Sequence, residues 1–319
     1  MTIQPRLQVA VGVVKNAQGD ILISLRDQTL HQGGLWEFPG GKVEAQETVE
    51  QALRRELNEE LGITVISETP LITIQHQYPD LAVELKVFLV EDYTGDAVSG
   101  LGQPCRWVKP ADLNHYAFPA ANQPIITAAQ LSFYYAILDD AEAAVLMVNL
   151  QKLLAGGLKL IQLRLKTVPK PVLKQFIEQA KILCKQAGAL LLINSAVDHA
   201  IEYPVNGIHL TSRDLMSATQ RPSVEHEPSD SKYWVSASCH NLQELLHAQA
   251  IGVDFAVLAP VSFTQTHPDT EPLGWKQFLE LVSQVNLPVY ALGGLSKEDL
   301  EKARNAGGQG IAAIRSFLQ

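Results

Sequence analysis

Residues 41–63 carry a run of carboxylates whose spacing allows metal chemistry, namely Glu44, Glu47, Glu56, Glu59 and Glu60. Glu59 and Glu60 follow Glu56 by three and four residues, so a helix places all three on one face. Like charges at this spacing repel each other, and a hard divalent cation with oxygen ligands removes the repulsion. The spacing is therefore compatible with a metal site. A solvated acidic helix with Arg54 and Arg55 as partners explains the spacing equally well.

The helix that carries these carboxylates is predicted over residues 48–61, and Gly62 ends it. Its apolar stripe consists of Val49, Leu53, Leu57 and Leu61. At about 100° per residue, Glu60 falls between Val49 and Leu53, beside the stripe. A purely solvating acidic face would lie opposite the stripe, so this position favours the metal site.

The fixed positions of the segment resemble the Nudix box, G-x5-E-x7-R-E-U-x-E-E-x-G-U, from Gly41 to Ile63 without a mismatch. The resemblance to Nudix hydrolases implies Mg²⁺, with Mn²⁺ as a substitute, that neutralises a diphosphate and polarises a water for attack on phosphorus. It implies that Arg55 orients the glutamates and that Glu47 supports the geometry of the loop and helix. Glu56 is the expected general base. The implied metal ligands are Gly40, Glu56, Glu59 and Glu60.

Two further motifs, WEFPGGK and FPAANQP, resemble the MutT branch, the 8-oxo-dGTP diphosphatases, over residues 5–130. In that branch an asparagine reads the oxidised purine, and Asn122 matches it. An amide donates and accepts at once, which suits such a base edge. A turn or cap role for Asn122 and a plain surface role for His31 are the alternatives. The implied nucleotide contacts are Arg26, His31, Glu37, Phe38, Pro39, Gly40 and Asn122.

The resemblance implies conversion of 8-oxo-dGTP to 8-oxo-dGMP and diphosphate, which is nucleotide-pool sanitation in DNA replication and repair. One position departs from the branch. A further glutamate is expected just before Gly-Gln-Pro, and Leu101 stands there. Leucine cannot bind a metal, so Glu91, Asp92 or Asp96 takes its place, or the fourth carboxylate is dispensable, or turnover is reduced.

The composition limits the class of protein. The chain has 319 residues, 46% of them apolar, and a net charge of −9. Broad nucleic-acid binding needs basic surface, so the net charge argues against it. The resemblance to the MutT branch implies a small-molecule nucleotide as the partner. No apolar run approaches the roughly 18 residues of a membrane span. Three scattered cysteines and a start without a signal-peptide cleavage site predict a reduced, cytoplasmic protein.

The chain length predicts two domains, placed at residues 1–130 and 131–319. In the first, residues 7–25 predict a β-hairpin, and strands follow at 63–76, at 81–91 and around Trp107. Mixed strands around one strong helix predict an α+β fold, with the Nudix arrangement of a mixed sheet between helices implied by the resemblance.

From residue 131 onward, eight short apolar runs alternate with helical segments, which is typical of an α/β (β/α)8 TIM barrel. The runs are FYYAILD, KLIQLRL, ALLLIN, NGIHL, YWVSAS, DFAVLA, PVYALGG and GIAAIRS. Residues 215–232 depart from the rhythm and predict a loop in place of a helix.

The second domain resembles thiamine phosphate synthase and its thiazole tautomerase relatives. QLRLK, which holds Arg164 and Lys166, and GIHL followed by Asp214 are similar to synthase motifs. Gly293 and Gly294 resemble the phosphate loop after the seventh strand, which implies a thiazole phosphate or another phosphate ligand. His240 is a candidate proton shuttle, and a helix cap is its alternative.

The departures from the synthase predict that its activity is lost. The synthase Asn-Asp-Arg reads Asn194-Ser195-Ala196, and the threonine–lysine loop near the sixth strand reads FTQT, without a lysine. Two alternatives to a nucleotide-sanitising enzyme therefore stay open. One is a thiamine-pathway enzyme that hydrolyses thiamine diphosphate analogues and processes a thiazole phosphate. The other is a barrel that binds a ligand without turning it over.

Overall fold

The computed structural model describes residues 6–29, 32–79, 81–98, 102–223, 232–264 and 271–319. The chain divides into two units, Met1–Gln130 and Leu131–Gln319. Within the described ranges, no helix is both long enough and apolar enough to span a bilayer.

The described residues of the N-terminal unit form seven strands and two α-helices. The strands are β1 (Leu7–Val14), β2 (Ile21–Leu25), β3 (Trp36–Glu37), β4 (Gly40–Lys42), β5 (Thr64–Gln77), β6 (Ala82–Thr94) and β7 (Cys105–Val108). The helices are α1 (Val49–Leu61) and α2 (Gln123–Gln130). Four strands form a mixed sheet in the order β4-β1-β6-β5, and three form an antiparallel sheet in the order β3-β2-β7. The α+β fold class is confirmed.

The predicted hairpin over residues 7–25 is wrong in its pairing. β1 and β2 lie in different sheets, and the β-pairing between these segments in the described chain is the isolated bridge of Lys15 and Ile21. The Asn16 side chain does accept the N–H groups of Gln18 and Asp20, so the turn itself forms. Since β4 and β6 take both hydrogen-bonding edges of β1, no edge is left for β2.

Helix α1 begins and ends where the sequence predicts. Thr48 caps its N-terminus in a capping box with Gln51, and Gly62 ends it in the left-handed conformation at φ 70°. Its buried residues are Ala52, Leu53, Leu57 and Leu61, which pack in the core with Phe88 and Val90 of β6. This packing fixes the rotation of the helix, and hence the direction of its glutamates.

The C-terminal unit is a closed barrel of eight strands in which every neighbouring pair is parallel. The strands are β8 (Tyr134–Asp139), β9 (Leu160–Arg164), β10 (Leu190–Asn194), β11 (Gly207–Leu210), β12 (Trp234–Cys239), β13 (Phe255–Leu258), β14 (Val289–Leu292) and β15 (Gly310–Ala313). All eight predicted runs form strands, and the barrel fold is confirmed.

The barrel helices are α3 (Ala143–Ala155), α4 (Lys170–Ala187), α5 (Ser212–Ser217), α6 (Leu242–Ala250), α7 (Gly274–Val282) and α8 (Leu300–Asn305). The loop predicted over residues 215–232 is therefore partly wrong. Its first residues complete α5, because Thr211 caps that helix by accepting the N–H of Asp214. Residues 224–231 lie outside the described residues.

Candidate active site and candidate ligand cavity

Two glycines of the N-terminal unit bring the glutamates of α1 against the backbone of β4. The N–H of Gly40 donates to Glu60 Oε2 at 3.0 Å. A Cβ at Gly41 would lie 2.2 Å from Glu56 Oε1. Gly40 has φ 145°, and a Cβ there would lie 2.1 Å from the Ala10 carbonyl oxygen in β1. Both positions therefore require glycine, one because of the strand behind it and the other because of Glu56.

Arg55 holds this arrangement together. Its Nε and Nη2 each donate to one oxygen of Glu47 at 3.0 Å, a two-point pair. Its Nη1 donates to Glu56 at 2.8 Å and to Glu59 at 3.4 Å, and Nη2 also donates to the Lys42 carbonyl at 3.1 Å. The hydrogen bonds that Arg55 donates to Glu47 and Glu56 raise its pKa above the usual range. The guanidinium therefore links the loop before α1 to two of its glutamates.

The carboxylates of this site repel one another. Burial raises the pKa of Glu60 to about 7, and the charges of Glu37 and Glu56 add to the rise, against the N–H of Gly40. A divalent cation would relieve this repulsion, so the donor chemistry fits one. Among the described residues, however, no three acidic, histidine or cysteine side chains already form a metal-binding group. The Glu59 side chain is 58% exposed and turned to Arg55.

The predicted nucleotide contacts lie beside this site. Arg26 forms an ion pair with Glu37. Burial raises the pKa of the Glu37 carboxyl, and the charge of Arg26 opposes this rise. The negative charge of Glu37 raises the pKa of Glu60, and the positive charge of Arg26 lowers it. The Pro39 carbonyl accepts the N–H of Gly12 at 2.8 Å, which fixes the backbone next to Gly40. Arg26, Glu37 and the metal-site glutamate therefore form one charged cluster.

The structure also joins the two motifs that suggested the nucleotide. The Trp36 N–H donates to the Ala117 carbonyl at 2.8 Å, and Phe38 stacks on Phe118 with ring centroids 5.3 Å apart. Asn122 is 9% exposed, and its backbone N–H donates to the Pro119 carbonyl at 2.9 Å just before α2. A largely buried amide can both donate to and accept from a ligand. Phe118 begins the motif FPAANQP, but the sequence did not indicate its contact with Phe38. His31 and Leu101 lie outside the described residues.

In the C-terminal unit, a cavity of ≈ 580 Å³ lies at the carboxyl ends of the strands. This is the face where barrels of this type place their functional groups. Four of the five predicted barrel residues line it, namely Arg164, His240, Gly293 and Gly294. Lys166 is exposed and does not line it. It follows the end of β9 by two residues, and its positive charge contributes to lowering the pKa of Asp139, so its role towards a ligand stays a prediction. Most of the other lining residues are apolar.

The glycine pair after β14 has a steric cause. Gly293 and Gly294 have φ 114° and 65°. A Cβ at Gly293 would lie 2.9 Å from Pro260 Cα, and one at Gly294 would lie 2.3 Å from the Phe263 carbonyl oxygen. The segment after β13 thus comes so close that only glycine fits, and the backbone of the pair faces the cavity without side chains.

His240 lines the cavity beside a helix that it does not cap. The cap of α6 is Asn241, whose side chain accepts the N–H of Glu244. His240 instead contacts Glu244 Oε2 through its own N–H at 2.7 Å and through Nδ1 at 3.0 Å. The cap interpretation of His240 is therefore wrong by one residue. The Glu244 carboxylate orients the ring.

A buried polar layer, which the sequence did not indicate, lies inside the barrel. His209 contacts the hydroxyls of Ser236 and Ser238 at 2.8 Å, and Ser238 lines the cavity. Gln162 donates to Tyr135 at 2.9 Å and accepts from Asn194 at 2.8 Å. Alternation along the strands could have suggested inward-facing side chains, but not which of them meet.

Neighbouring hydroxyls fill the surroundings of Asp214, the aspartate of the synthase-like turn. Ser195 and Thr211 donate to its Oδ2 at 2.5 and 2.7 Å. Ser195 stands where the synthase pattern has an aspartate. One hydroxyl thus replaces a second carboxylate, so this pair lacks the acidic donors of a hard-cation site.

Arg164 has a partner that the sequence did not indicate. Its Nε and Nη2 donate to the two oxygens of Asp139 at 3.0 and 2.6 Å. The two residues are register partners at the ends of β8 and β9. A signal existed, since Asp139 ends a barrel strand, where functional side chains are common.

The folds and sites define a Nudix hydrolase unit and a synthase-type barrel. A family model described as NUDIX domain matches residues 10–128, and one described as Thiamine monophosphate synthase matches residues 134–317. The chain belongs to both families, one in each unit.

Three curated relatives each match one unit. The 8-oxo-dGTP diphosphatase of Escherichia coli is 40% identical over 121 residues, which are 38% of this chain and 94% of the relative. That of Proteus vulgaris is 44% identical over 101 residues, 32% of this chain and 89% of the relative. The putative thiamine-phosphate synthase 2 of Aquifex aeolicus is 34% identical over 191 residues, 60% of this chain and 100% of the relative.

Proposed function

We propose that the N-terminal unit is a Mg²⁺-dependent pyrophosphohydrolase that converts 8-oxo-dGTP to 8-oxo-dGMP and diphosphate. The observation that carries the proposal is the contact of Glu56 and Glu60 with the backbone of Gly41 and Gly40. The relatives named 8-oxo-dGTP diphosphatase support the substrate. The role is sanitation of the nucleotide pool, which protects DNA replication.

Glu56, Glu59, Glu60 and the Gly40 carbonyl would hold the cation. A bound Mg²⁺ would neutralise the diphosphate charge and polarise a water for attack on phosphorus. Arg55 keeps Glu56 in place through a 2.8 Å hydrogen bond. Glu56, which we assign as the general base, would accept the proton of the attacking water. Glu59 would leave Arg55 to join the other two carboxylates.

The nucleotide base would lie between the two joined motifs. Asn122, which is 9% exposed, would donate to and accept from the oxidised purine, because an amide carries both kinds of group. Phe38 and Phe118 supply the apolar support for this position. Arg26, oriented by Glu37, lies near the glutamates and would contact the phosphate-bearing end.

Single-turnover hydrolysis of 8-oxo-dGTP and dGTP with Mg²⁺ tests the proposal. The expected products are the monophosphate and diphosphate, with a clear preference for the oxidised base. Glu60→Gln should abolish hydrolysis, and Glu50→Gln, on the exposed side of the same helix, should leave it unchanged. Absence of diphosphate release, or equal rates on the two nucleotides, would contradict the proposal.

For the barrel, we propose that the cavity binds a phosphate-bearing small molecule at Gly293 and Gly294. The steric exposure of that backbone supports it, since N–H groups without side chains suit an anion. Ser195 beside Asp214 supports the loss of thiamine phosphate synthase activity. Isothermal titration of the full chain with inorganic phosphate in EDTA should show binding that Gly294→Ala abolishes. No heat of binding, or binding unchanged by that substitution, would contradict it.

The match of the barrel to the thiamine family supports a second candidate, in which the Nudix unit hydrolyses thiamine diphosphate analogues. His240, held by Glu244 at the cavity wall, would then serve as a proton shuttle on a thiazole phosphate. A panel of both substrate classes on the full chain separates the candidates by the ratio of kcat/KM.

The three free cysteines support a reducing, cytoplasmic location.

A further inference from the structure

The charged wall of the barrel cavity between β8 and β9 is already paired. Arg164 lines the cavity, and its guanidinium meets both carboxylate oxygens of Asp139 at 3.0 and 2.6 Å. This two-point geometry uses the same fork that arginine offers to a phosphate group. The carboxylate of the protein therefore takes the position of a ligand anion on this arginine.

The pair is stable in its charged form. Burial raises the pKa of Asp139, but the hydrogen bonds and charge of Arg164 outweigh it and hold the pKa below its usual value. The two side chains are 33% and 27% exposed, so solvent screens the pair only in part. At neutral pH Asp139 and Arg164 therefore carry opposite charges that cancel at short range, and the positive charge of Lys166 also acts on Asp139.

The cavity wall at the glycine pair has a different character. Gly293 and Gly294, after β14, expose backbone to the cavity, and Arg315, after the neighbouring strand β15, also lines it. A ligand phosphate would lie at this wall, and a second anionic group that extended from it towards β9 would meet a guanidinium that Asp139 already neutralises. Burying an unpaired anion there is unfavourable.

We propose that Asp139 is a specificity-determining residue of the barrel cavity, which holds the guanidinium of Arg164 and thereby rejects ligands with a second anionic group. The proposal rests on the phosphate binding proposed for Gly293 and Gly294. It assigns the cavity to molecules with one phosphate and a neutral or cationic remainder. A purely structural pair, which only joins the ends of β8 and β9, would affect stability and leave anion selectivity unchanged.

The test measures the affinities of the full chain for pyrophosphate and for inorganic phosphate by isothermal titration in EDTA. Asp139→Asn removes the competing carboxylate and keeps a side chain of the same size. Its ratio of pyrophosphate to phosphate affinity should rise about tenfold, the effect of one charge-assisted two-point contact. Any binding of these anions to the N-terminal unit is the same in every variant and does not alter the comparison.

The matched control is Asp140→Asn. Asp140 is the next residue, and its carboxylate accepts the N–H of Thr167 at 3.0 Å instead of a bond from Arg164 in the described chain. Its substitution changes the net charge by the same amount as Asp139→Asn. Its affinity ratio should stay at the wild-type value. If the ratio of pyrophosphate to phosphate affinity rises equally in the two variants, the change in net charge is the cause and the proposal is overturned.

A double variant, Asp139→Asn with Arg164→Gln, removes the pair without leaving an unpaired charge. Its ratio should return to within about twofold of wild type, because the freed guanidinium is the cause of the gain. A ratio that stays raised, or an unchanged ratio in folded Asp139→Asn, overturns the proposal. If Asp139→Asn does not fold, the double variant decides the question. The proposal is overturned if the double variant binds pyrophosphate more than tenfold more weakly than wild type does.

The two proposals fail in different ways. If wild type binds phosphate and the ratio does not respond to Asp139→Asn, only the specificity role is wrong. If neither anion binds any variant, phosphate binding at the glycines fails, and the specificity role fails with it.

Discussion

Gly41 and Glu56 are in direct contact across the gap between β4 and α1. A Cβ at residue 41 would lie 2.2 Å from both Cδ and Oε1 of Glu56. No real Cβ contact is that short, so the carboxylate occupies the space that a side chain would need. The glycine at the start of the Nudix box is thus explained by a glutamate fifteen residues later.

Gly41→Ala should displace the Glu56 carboxylate and leave the fold intact. A shift of about 1 Å at a catalytic group costs about 100-fold in rate, so kcat should fall by this order. The Mg²⁺ concentration for half-maximal activity should rise as well. Kinetics at varied Mg²⁺ measure both, with Gly156→Ala as control because its nearest contact would be 3.3 Å. A Gly41→Ala enzyme with wild-type kcat would rule out this reading of the contact.

Arg55→Lys should lower kcat about tenfold with little change in KM, since an ammonium cannot reproduce the two-point contact with Glu47. The control is Arg54→Lys, one residue earlier on α1, which pairs with Glu68 away from the site. Steady-state kinetics of both variants measure the effect. Equal losses in the two would point to helix stability instead of positioning.

Asn122→Ala should reduce the preference for 8-oxo-dGTP over dGTP at least tenfold, because the oxidised base would lose its hydrogen-bond partner. The rate on dGTP should change much less. Gln123→Ala is the matched control, as its exposed side chain follows directly in α2. Competition between the two nucleotides in one reaction gives the ratio, and an unchanged ratio in Asn122→Ala assigns base recognition to other residues.

The barrel should lose stability in acid through His209. Burial lowers the pKa of His209 to about 3, and the charge of Arg164 adds to the decrease. Below the usual value of 6.5, His209 takes up a proton in the unfolded chain and stays neutral in the folded chain. The free energy of unfolding therefore falls as the pH drops from 6.5 towards 3. The slope from this group is at most about 1.4 kcal/mol per pH unit.

Native-state hydrogen exchange of the β11 and β12 amides measures this slope between pH 6.5 and 4.5. His209→Gln should flatten it, whatever its stability at neutral pH. His199→Gln, at a 44% exposed histidine, should leave it as in wild type. Parallel curves for wild type and His209→Gln would show that the ring is protonated in the folded barrel.

The sequence by itself determined the elements and the local chemistry. The period of 3.6 residues fixes which glutamates share the face of α1, and Thr48 and Gly62 fix its ends. The eight apolar runs determined the barrel in the same way, because strand and helix patterns are properties of neighbouring residues. Motif spacing located Arg164, His240 and the glycine pair at the ends of strands, where the cavity lies.

Tertiary structure alone decided which distant groups meet. The two-sheet arrangement separates β1 from β2, since a strand has only two edges. Asp139 and Arg164 are 25 residues apart and become partners only through the register of β8 and β9. Gly41 meets Glu56 because the core rotates α1 towards β4. Such contacts depend on packing between elements, which no local pattern encodes.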